Sequence, residues 1–252
     1  MRTIVTDNPT VTSRTVASAI QQAIRRTPDL VFIPATGNSP MGAYARLAKV
    51  VRRESSVDLS RVHIFQLDEY LDLPPGDTRL LSGWMERSLI EPLAIPDASV
   101  TRFQRDATDP EQMCRAYDQA LADAGGAGLT VLGLGPNGHI GFNEPPSGPD
   151  EPTRVITLTP ESIRSNATYW GGEDRVPRRA VTAGMAQLLA AWQIVLVVSG
   201  EGKREILRKT LTGPMTPDVP ASFLQGASNV TVVADRAAWG DLPMPEPQMD
   251  VD

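Results

Sequence analysis

Cysteine and histidine are scarce in this chain of 252 residues. Cys114 is the only cysteine, and there are two histidines. A single thiol excludes an intramolecular disulfide and a cysteine-based metal cluster, which is typical of a cytoplasmic protein. His63 lies within a predicted strand, and His139 has no helical histidine partner at a ligand spacing. The sequence therefore predicts no bound metal.

The chain also lacks a concentration of positive charge and a long apolar run. Its 24 Lys and Arg residues are outnumbered by 30 Asp and Glu residues, which gives a net charge of −6. With no block of basic residues, this balance argues against nucleic acid as the main partner. No uncharged apolar segment is long enough for a transmembrane helix, and the first residues lack the apolar block of a signal peptide. We therefore expect no membrane association and a cytoplasmic location.

Short apolar runs of strand length alternate along the chain with segments of helical spacing. The predicted strands cover residues 30–33, 62–67, 129–134, 154–158, 194–198 and 230–233. The predicted helices cover residues 12–26, 41–51, 79–93, 110–124 and 203–211, and another begins at residue 160. This order predicts a doubly wound, mainly parallel sheet with helices on both faces, a Rossmann-like α/β fold. We expect a single domain over residues 1–243 and a disordered, Pro- and acid-rich tail over residues 244–252.

Polar residues follow four of the predicted strands at the point where each strand ends. These loops are residues 36–39, 68–69, 137–144 and 199–203. Because the carboxyl ends of parallel strands meet at one edge of a sheet, the four loops should converge on one ligand site.

The first loop consists of Thr36, Gly37, Asn38 and Ser39. It offers hydroxyl groups, backbone N–H groups and the start of a helix, which suits a phosphate. We expect Ser39 to cap that helix and Pro40 to be its first residue. The alternative is an ordinary capped turn. The loop has neither the Gly-Lys-Ser/Thr ending of a nucleoside-triphosphate loop nor the dinucleotide fingerprint, so no nucleotide cofactor is predicted.

The other three loops carry ionisable groups. Asp68 could be a carboxylate base at the sheet edge, and the alternative is that the acidic pair is a solvated strand end or a helix cap. His139 and Glu144 could form a proton-transfer pair, in which the carboxylate orients the imidazole or strengthens it as a base. Lys203 lies at a helix start, where a cation is unfavourable unless an anion is bound; the alternative is an exposed surface lysine.

These motifs together resemble the glucosamine-6-phosphate deaminase/isomerase family, whose fold is shared with the 6-phosphogluconolactonases. The motifs are Ala-Thr-Gly-Asn-Ser-Pro at residues 35–40, Leu-Asp-Glu-Tyr at 67–70, Gly-His-Ile-Gly-Phe-Asn-Glu-Pro at 138–145, and Gly-Glu-Gly-Lys at 200–203. The third motif is the most specific, and the resemblance extends roughly over residues 3–234. The Phe-Asn-Glu-Pro continuation and the Asp-Glu-Tyr motif favour the deaminase branch over the lactonases.

The resemblance implies a hydrolase that isomerises and deaminates an aminosugar phosphate, such as glucosamine-6-phosphate to fructose-6-phosphate and ammonia, without a cofactor. The phosphate is implied to bind residues 36–39 and Lys203. His139 is implied in opening the sugar ring, with Glu144 orienting it. Asp68 is implied in carrying a proton from C2 to C1 through an enolamine. The expected partner is thus a small sugar phosphate, and the sequence is compatible with both a monomer and a homo-oligomer.

Three positions depart from the family pattern, one of them Gly226, which stands where a histidine often follows the Leu-Gln pair. Asn137 stands at a catalytic position where a family member has an aspartate, and because Asn137 cannot ionise, carboxylate–imidazole coupling must rest on Glu144. Thr168 stands where the family usually has an arginine that reaches the substrate phosphate, and losing a guanidinium there is not conservative. Four nearby arginines are candidates to replace it: Arg164, Arg175, Arg178 and Arg179.

Two other functions stay open at this point, because a fold alone does not determine a function. One is a divergent enzyme of this fold, either a lactonase or a specialised isomerase of another sugar phosphate. The other is a sugar-phosphate sensor without activity, against which the presence of both Asp68 and His139 argues. A lactonase needs no base at C2, so activity that survives Asp68→Asn would favour it.

Overall fold

A computed structural model describes residues 1–53, 58–74, 76–105 and 107–245 of the chain. Most of the tail that the composition predicts to be disordered, residues 246–252, lies outside the described residues. Within the described ranges, no helix is both long enough and apolar enough to cross a membrane.

Seven parallel strands form the main sheet, in the order β1-β10-β9-β6-β2-β3-β5. They are β1 (Arg2–Thr6), β2 (Val31–Pro34), β3 (His63–Phe65), β5 (Val100–Thr101), β6 (Leu129–Gly133), β9 (Gln193–Val198) and β10 (Val230–Asp235). The predicted doubly wound, mainly parallel α/β fold is confirmed. The sequence analysis missed the two edge strands, β1 and β5, because each lacks the continuous apolar run of a strand that is buried on both faces.

The hydrophobic core lies in two layers, one on each face of this sheet. Residues of β9 alternate between the layers: Ile194 and Leu196 pack in one, and Val195 and Val197 in the other. Such alternation follows from the period of two residues in a strand. Because both layers are covered by helices, the sheet is buried on both faces, as its continuous apolar strands predict.

Helices connect the strands, and polar side chains fix where several of them begin. Asn8 accepts hydrogen bonds from the N–H groups of Thr10 and Val11, and α1 therefore begins at residue 9 rather than at the predicted residue 12. The main helices are α1 (Pro9–Arg26), α2 (Asn38–Val51), α3 (Leu81–Met85), α4 (Glu91–Leu93), α5 (Pro110–Asp123), α6 (Pro160–Trp170), α7 (Met185–Leu189), α8 (Arg204–Thr212) and α9 (Arg236–Trp239). A π-helical turn, Glu86–Ile90, joins α3 to α4.

A second, antiparallel sheet of three strands covers the site edge of the main sheet and corrects two strand predictions. It consists of β4 (Asp68–Tyr70), β8 (Arg179–Thr182) and β7 (Arg154–Thr157), in that order. The predicted strand 62–67 ends at residue 65, and the chain then enters β4. The predicted strand 154–158 is β7 and belongs to this small sheet, because it pairs with β8 rather than with a parallel neighbour.

Candidate active site

A cavity of about 660 Å³ lies at the carboxyl edge of the main sheet. Four adjacent strands, β9, β6, β2 and β3, lead into it. The loops that follow them all contribute to its lining, so the predicted convergence of the four strand ends is confirmed. Of the sequence-predicted site residues, those that line the cavity are Thr36, Gly37, Asn38, Ser39, Asp68, His139 and Lys203.

The loop after β2 leaves the first N–H groups of α2 without a side-chain cap. The helix begins at Asn38, and its N-cap residue is Gly37, whose φ of 94° is unfavourable for residues with a side chain. The prediction that Ser39 is the cap and Pro40 the first helical residue is therefore wrong, because the turn at Gly37 starts the helix earlier. No side chain accepts from the first turn in the described structure, so this helix start can bind an anion.

Asp68 and Glu69 are adjacent in sequence but serve different parts of the structure. Successive side chains of a strand point to opposite faces. The Glu69 carboxylate is fully buried and accepts from the N–H groups of Leu81 and Ser82, at 2.9 and 2.8 Å, so it caps the start of α3. Asp68 lines the cavity instead. The sequence left a helix cap and a candidate base as alternatives for this acidic pair. In the structure Glu69 is the helix cap and Asp68 is the candidate base.

Asp68 is held in an environment that opposes its ionisation. Its side chain is only 6% exposed, and Oδ1 has no hydrogen-bond partner among the described residues. Burial, together with the negative charge of Glu69, raises the pKa of Asp68 to about 7, although a hydrogen bond from Thr36 acts in the opposite direction. A carboxylate with a pKa near neutrality is suited to accept and return a proton at physiological pH.

The imidazole of His139 lines the cavity and is backed by a carboxylate. Its Nδ1 is 3.4 Å from Glu144 Oε2 and 3.2 Å from the Ser162 hydroxyl. Because Nδ1 is occupied by these partners, Nε2 is the ring nitrogen that can exchange a proton with a ligand. Ser162, on α6, was missed by the sequence analysis, since nothing local marks a serine that reaches a histidine 23 positions earlier.

Glu144 and Asn137 stand behind His139 rather than in the cavity lining. Burial alone would raise the pKa of Glu144, but hydrogen bonds from His139, Ser162 and Asn137 and the charge of His139 lower it to about 2. The Asn137 amide donates to Glu144 Oε2 at 2.8 Å. Its Oδ1 also accepts from the backbone N–H of His139 at 3.2 Å, so Asn137 contacts both the carboxylate behind the imidazole and the backbone that carries the imidazole.

Lys203 reaches the cavity from the loop after β9. It ends a 3-10 turn, Glu201–Lys203, directly before α8. Its ammonium group donates to the carbonyl of Leu134 at 2.7 Å, at the end of β6. Burial lowers the pKa of Lys203, which means that the charged form is poorly solvated and would gain from an anionic ligand.

None of the four arginines proposed to replace the missing one at position 168 is among the described residues that line the cavity. Arg164 pairs with Glu161 at 3.1 Å, and Arg179 pairs with Asp72. Thr168 itself is exposed on α6. The arginine that lines the cavity is Arg79, which the sequence analysis did not single out because it belongs to no motif.

The described residues contain no group of three or more His, Cys, Asp or Glu side chains placed to hold a metal ion. The candidate site is therefore built from a buried carboxylate, an imidazole backed by a second carboxylate, a helix start and two cations, Arg79 and Lys203. Such an arrangement can bind an anionic group at one end and move protons at the other.

The chain is similar to known proteins over most of its length. The family described as glucosamine-6-phosphate isomerases/6-phosphogluconolactonase matches residues 9–233. A glucosamine-6-phosphate deaminase of Thermoanaerobacter sp. (strain X514) is 35% identical, with 96% of each chain covered. One of Rhodopirellula baltica is 40% identical, with 93% of each chain covered.

A solved structure of a monomeric glucosamine-6-phosphate deaminase superimposes with a TM-score of 0.91 at 32% identity. The alignment covers 94% of this chain and 98% of that structure. This chain therefore belongs to the glucosamine-6-phosphate isomerase/6-phosphogluconolactonase family.

Proposed function

We propose that this protein is an aminosugar-phosphate deaminase that converts glucosamine-6-phosphate and water to fructose-6-phosphate and ammonia. The observation that carries the proposal is the buried Asp68, which has a pKa of about 7 and shares one cavity with His139 and an uncapped helix start. The relatives named as glucosamine-6-phosphate deaminases support the same reaction.

In the proposed reaction each group has a role. The phosphate binds at the start of α2 and to Lys203, which fixes the sugar in the cavity. His139, through Nε2, moves a proton from the C1 hydroxyl to the ring oxygen and opens the ring. Asp68 removes the proton from C2, forming an enolamine, and returns it to C1. The resulting iminium at C2 takes up water and releases ammonia, leaving the ketose phosphate.

The first test is a time course of ammonia and fructose-6-phosphate formed from glucosamine-6-phosphate by the purified protein. Galactosamine-6-phosphate and 6-phosphogluconolactone run in parallel as alternative substrates. Equal amounts of ammonia and ketose phosphate support the proposal. Turnover of the lactone alone would overturn it and identify a hydrolase of the same fold.

The pH dependence of the reaction should follow the ionisation of the Asp68 carboxyl group. A base acts only when it is deprotonated, so kcat/KM should fall below pH 7, tenfold for each pH unit, and level off above pH 8. The measurement is kcat/KM between pH 5 and pH 9. The affinity for fructose-6-phosphate, followed over the same range, separates ionisation of the ligand phosphate from that of the base. A profile that is flat down to pH 5 would contradict this role of Asp68.

Lys203→Ala should weaken substrate binding more than turnover. A charged hydrogen bond to a phosphate contributes enough that its loss should raise KM by about 10- to 100-fold. The matched control is Lys209→Ala, because Lys209 lies on α8 but is exposed and pairs with Glu205. An unchanged KM in Lys203→Ala would show that Lys203 does not contact the phosphate.

We also propose a cytoplasmic location, for which the support is the single buried thiol of Cys114. A thiol in this state fits a reducing compartment. Whether the protein works as a monomer, like the solved relative, or as a homo-oligomer is decided by its mass in solution.

A further inference from the structure

Among the described residues that line the cavity, Arg79 is the charged group that the proposed mechanism leaves without a role. It follows β4 in the segment that leads to α3, and its side chain is 43% exposed. Its guanidinium lies over the Trp170 ring, 4.5 Å from the ring centroid, and both residues line the cavity. Stacking on an aromatic face fixes the plane of a guanidinium and leaves its edge open to a ligand.

Asp77 fixes the orientation of this guanidinium further. Asp77 accepts from Arg79 Nε at 2.9 Å and from Nη2 at 2.6 Å. Arginine carries five N–H donors. The other three N–H groups, two of them on Nη1, have no acceptor among the described residues. Arg79 is therefore a preoriented donor that retains unused N–H groups in the cavity.

The last turn of α6 connects Arg79 to the anion-binding loop. Trp170 contacts the guanidinium, and the preceding residue, Tyr169, accepts a hydrogen bond from the Asn38 amide at 2.6 Å. Asn38 is the first residue of α2, where the uncapped N–H groups lie. The guanidinium and the helix start are thus held against the same end of one helix.

The charges of the substrate indicate which end of the substrate Arg79 contacts. The amino group at C2 is cationic when protonated and must lie near Asp68, which acts on C2. A guanidinium at that end would repel it, whereas the phosphate at C6 is a dianion that a guanidinium binds through two parallel N–H donors. We propose that Arg79 binds the substrate phosphate together with Lys203. This inference deepens the proposed function and rests on it for the substrate being a phosphate ester.

The test compares Arg79→Gln with wild type by calorimetry, using inorganic phosphate and fructose-6-phosphate as probes. We expect Kd for both to rise by about 10-fold or more. The matched control is Arg164→Gln, since Arg164 is exposed on α6 and does not line the cavity; its affinities should equal those of wild type. Phosphate affinity within about 2-fold of wild type in Arg79→Gln would overturn the proposal.

Kinetics separate a phosphate contact from a packing role. In Arg79→Gln, kcat/KM for glucosamine-6-phosphate should fall at least 10-fold, whereas kcat/KM for unphosphorylated glucosamine should not change. Equal losses with both substrates would mean that Arg79 only supports Trp170, which would overturn the proposal.

A second variant keeps the proposal testable if Arg79→Gln does not fold. Asp77→Asn keeps an oxygen that can accept from Arg79 Nε and orient the guanidinium, but it removes the negative charge that competes with a phosphate, so phosphate affinity should increase by about 2- to 5-fold. Unchanged or weaker affinity in a folded Asp77→Asn variant would contradict a phosphate at Arg79. The two proposals can fail separately. If the wild-type protein does not deaminate glucosamine-6-phosphate but Arg79→Gln still lowers phosphate affinity, the proposed function is wrong and this inference stands.

Discussion

Asp68→Asn is expected to abolish most of the activity while making the folded protein more stable. Asparagine has nearly the same shape but cannot accept the C2 proton, so turnover should fall by at least about 100-fold with little change in phosphate affinity. Stability should rise because the substitution removes a carboxylate that is 6% exposed and costly to ionise.

The sign and the pH window of the stability effect follow from the pKa of Asp68. The pKa is about 7 in the folded protein, against an ordinary value of 3.8 for an aspartate. Between these values the folded state holds a proton that the unfolded state has lost, so stability decreases as the pH rises through the window. The increase in the free energy of unfolding that Asp68→Asn causes should therefore be small near pH 4. It should reach roughly 4 kcal/mol at most above pH 8.

Urea unfolding at pH 5 and pH 8, together with steady-state turnover, measures both effects. The control is Asp118→Asn, because Asp118 is also a carboxylate whose pKa is raised by burial but does not line the cavity. Its turnover should stay normal. Near-normal turnover in Asp68→Asn would remove Asp68 from the mechanism, and surviving lactonase activity would point to the alternative hydrolase.

Gly135→Ala is expected to reduce turnover by about 100-fold without altering any ionisable group. A Cβ at this position would lie 2.2 Å from His139 Cδ2 and 2.3 Å from Nε2. Real Cβ atoms do not approach that closely, so the imidazole must swing away from Glu144 and from the ligand. The backbone at Gly135 is not in the left-handed region, so alanine adds no backbone strain of its own.

Turnover of Gly135→Ala is compared with that of His139→Gln and of a matched glycine variant. Gly148→Ala is the control, because a Cβ there meets no atom within 4 Å and its backbone is also outside the left-handed region. The Kd for fructose-6-phosphate should stay within a few-fold of wild type, since the helix start and Lys203 are unchanged. Full turnover in Gly135→Ala would mean that the position of the imidazole does not matter for the reaction.

Much of the fold and of the site location is encoded locally. The apolar runs at residues 129–134 and 194–198 form β6 and β9, because a continuous apolar segment is stable only where both faces are buried. The order of strands and helices then fixes which loops meet at the carboxyl edge. For this reason the convergence of Asp68, His139 and Lys203 could be predicted from sequence.

Side-chain roles within the site depended on contacts between distant segments. Glu69 became a helix cap because α3 starts against it 12 residues later, and Asp68 became the cavity carboxylate because β4 pairs with β8. The helix start at Asn38 was misplaced because the turn at Gly37, rather than a side-chain cap, sets it.

The sequence by itself determined the α/β order, the four strand-end loops and the pairing of His139 with Glu144, because periodicity and short spacings are local properties of a chain. Only the tertiary structure decided which arginine lines the cavity. Arg79 is separated by 91 positions from Trp170, on which it stacks, whereas the arginines near Thr168 in sequence point to other partners. The position of a long, flexible side chain depends on the residues that pack against it, and the fold determines which residues those are.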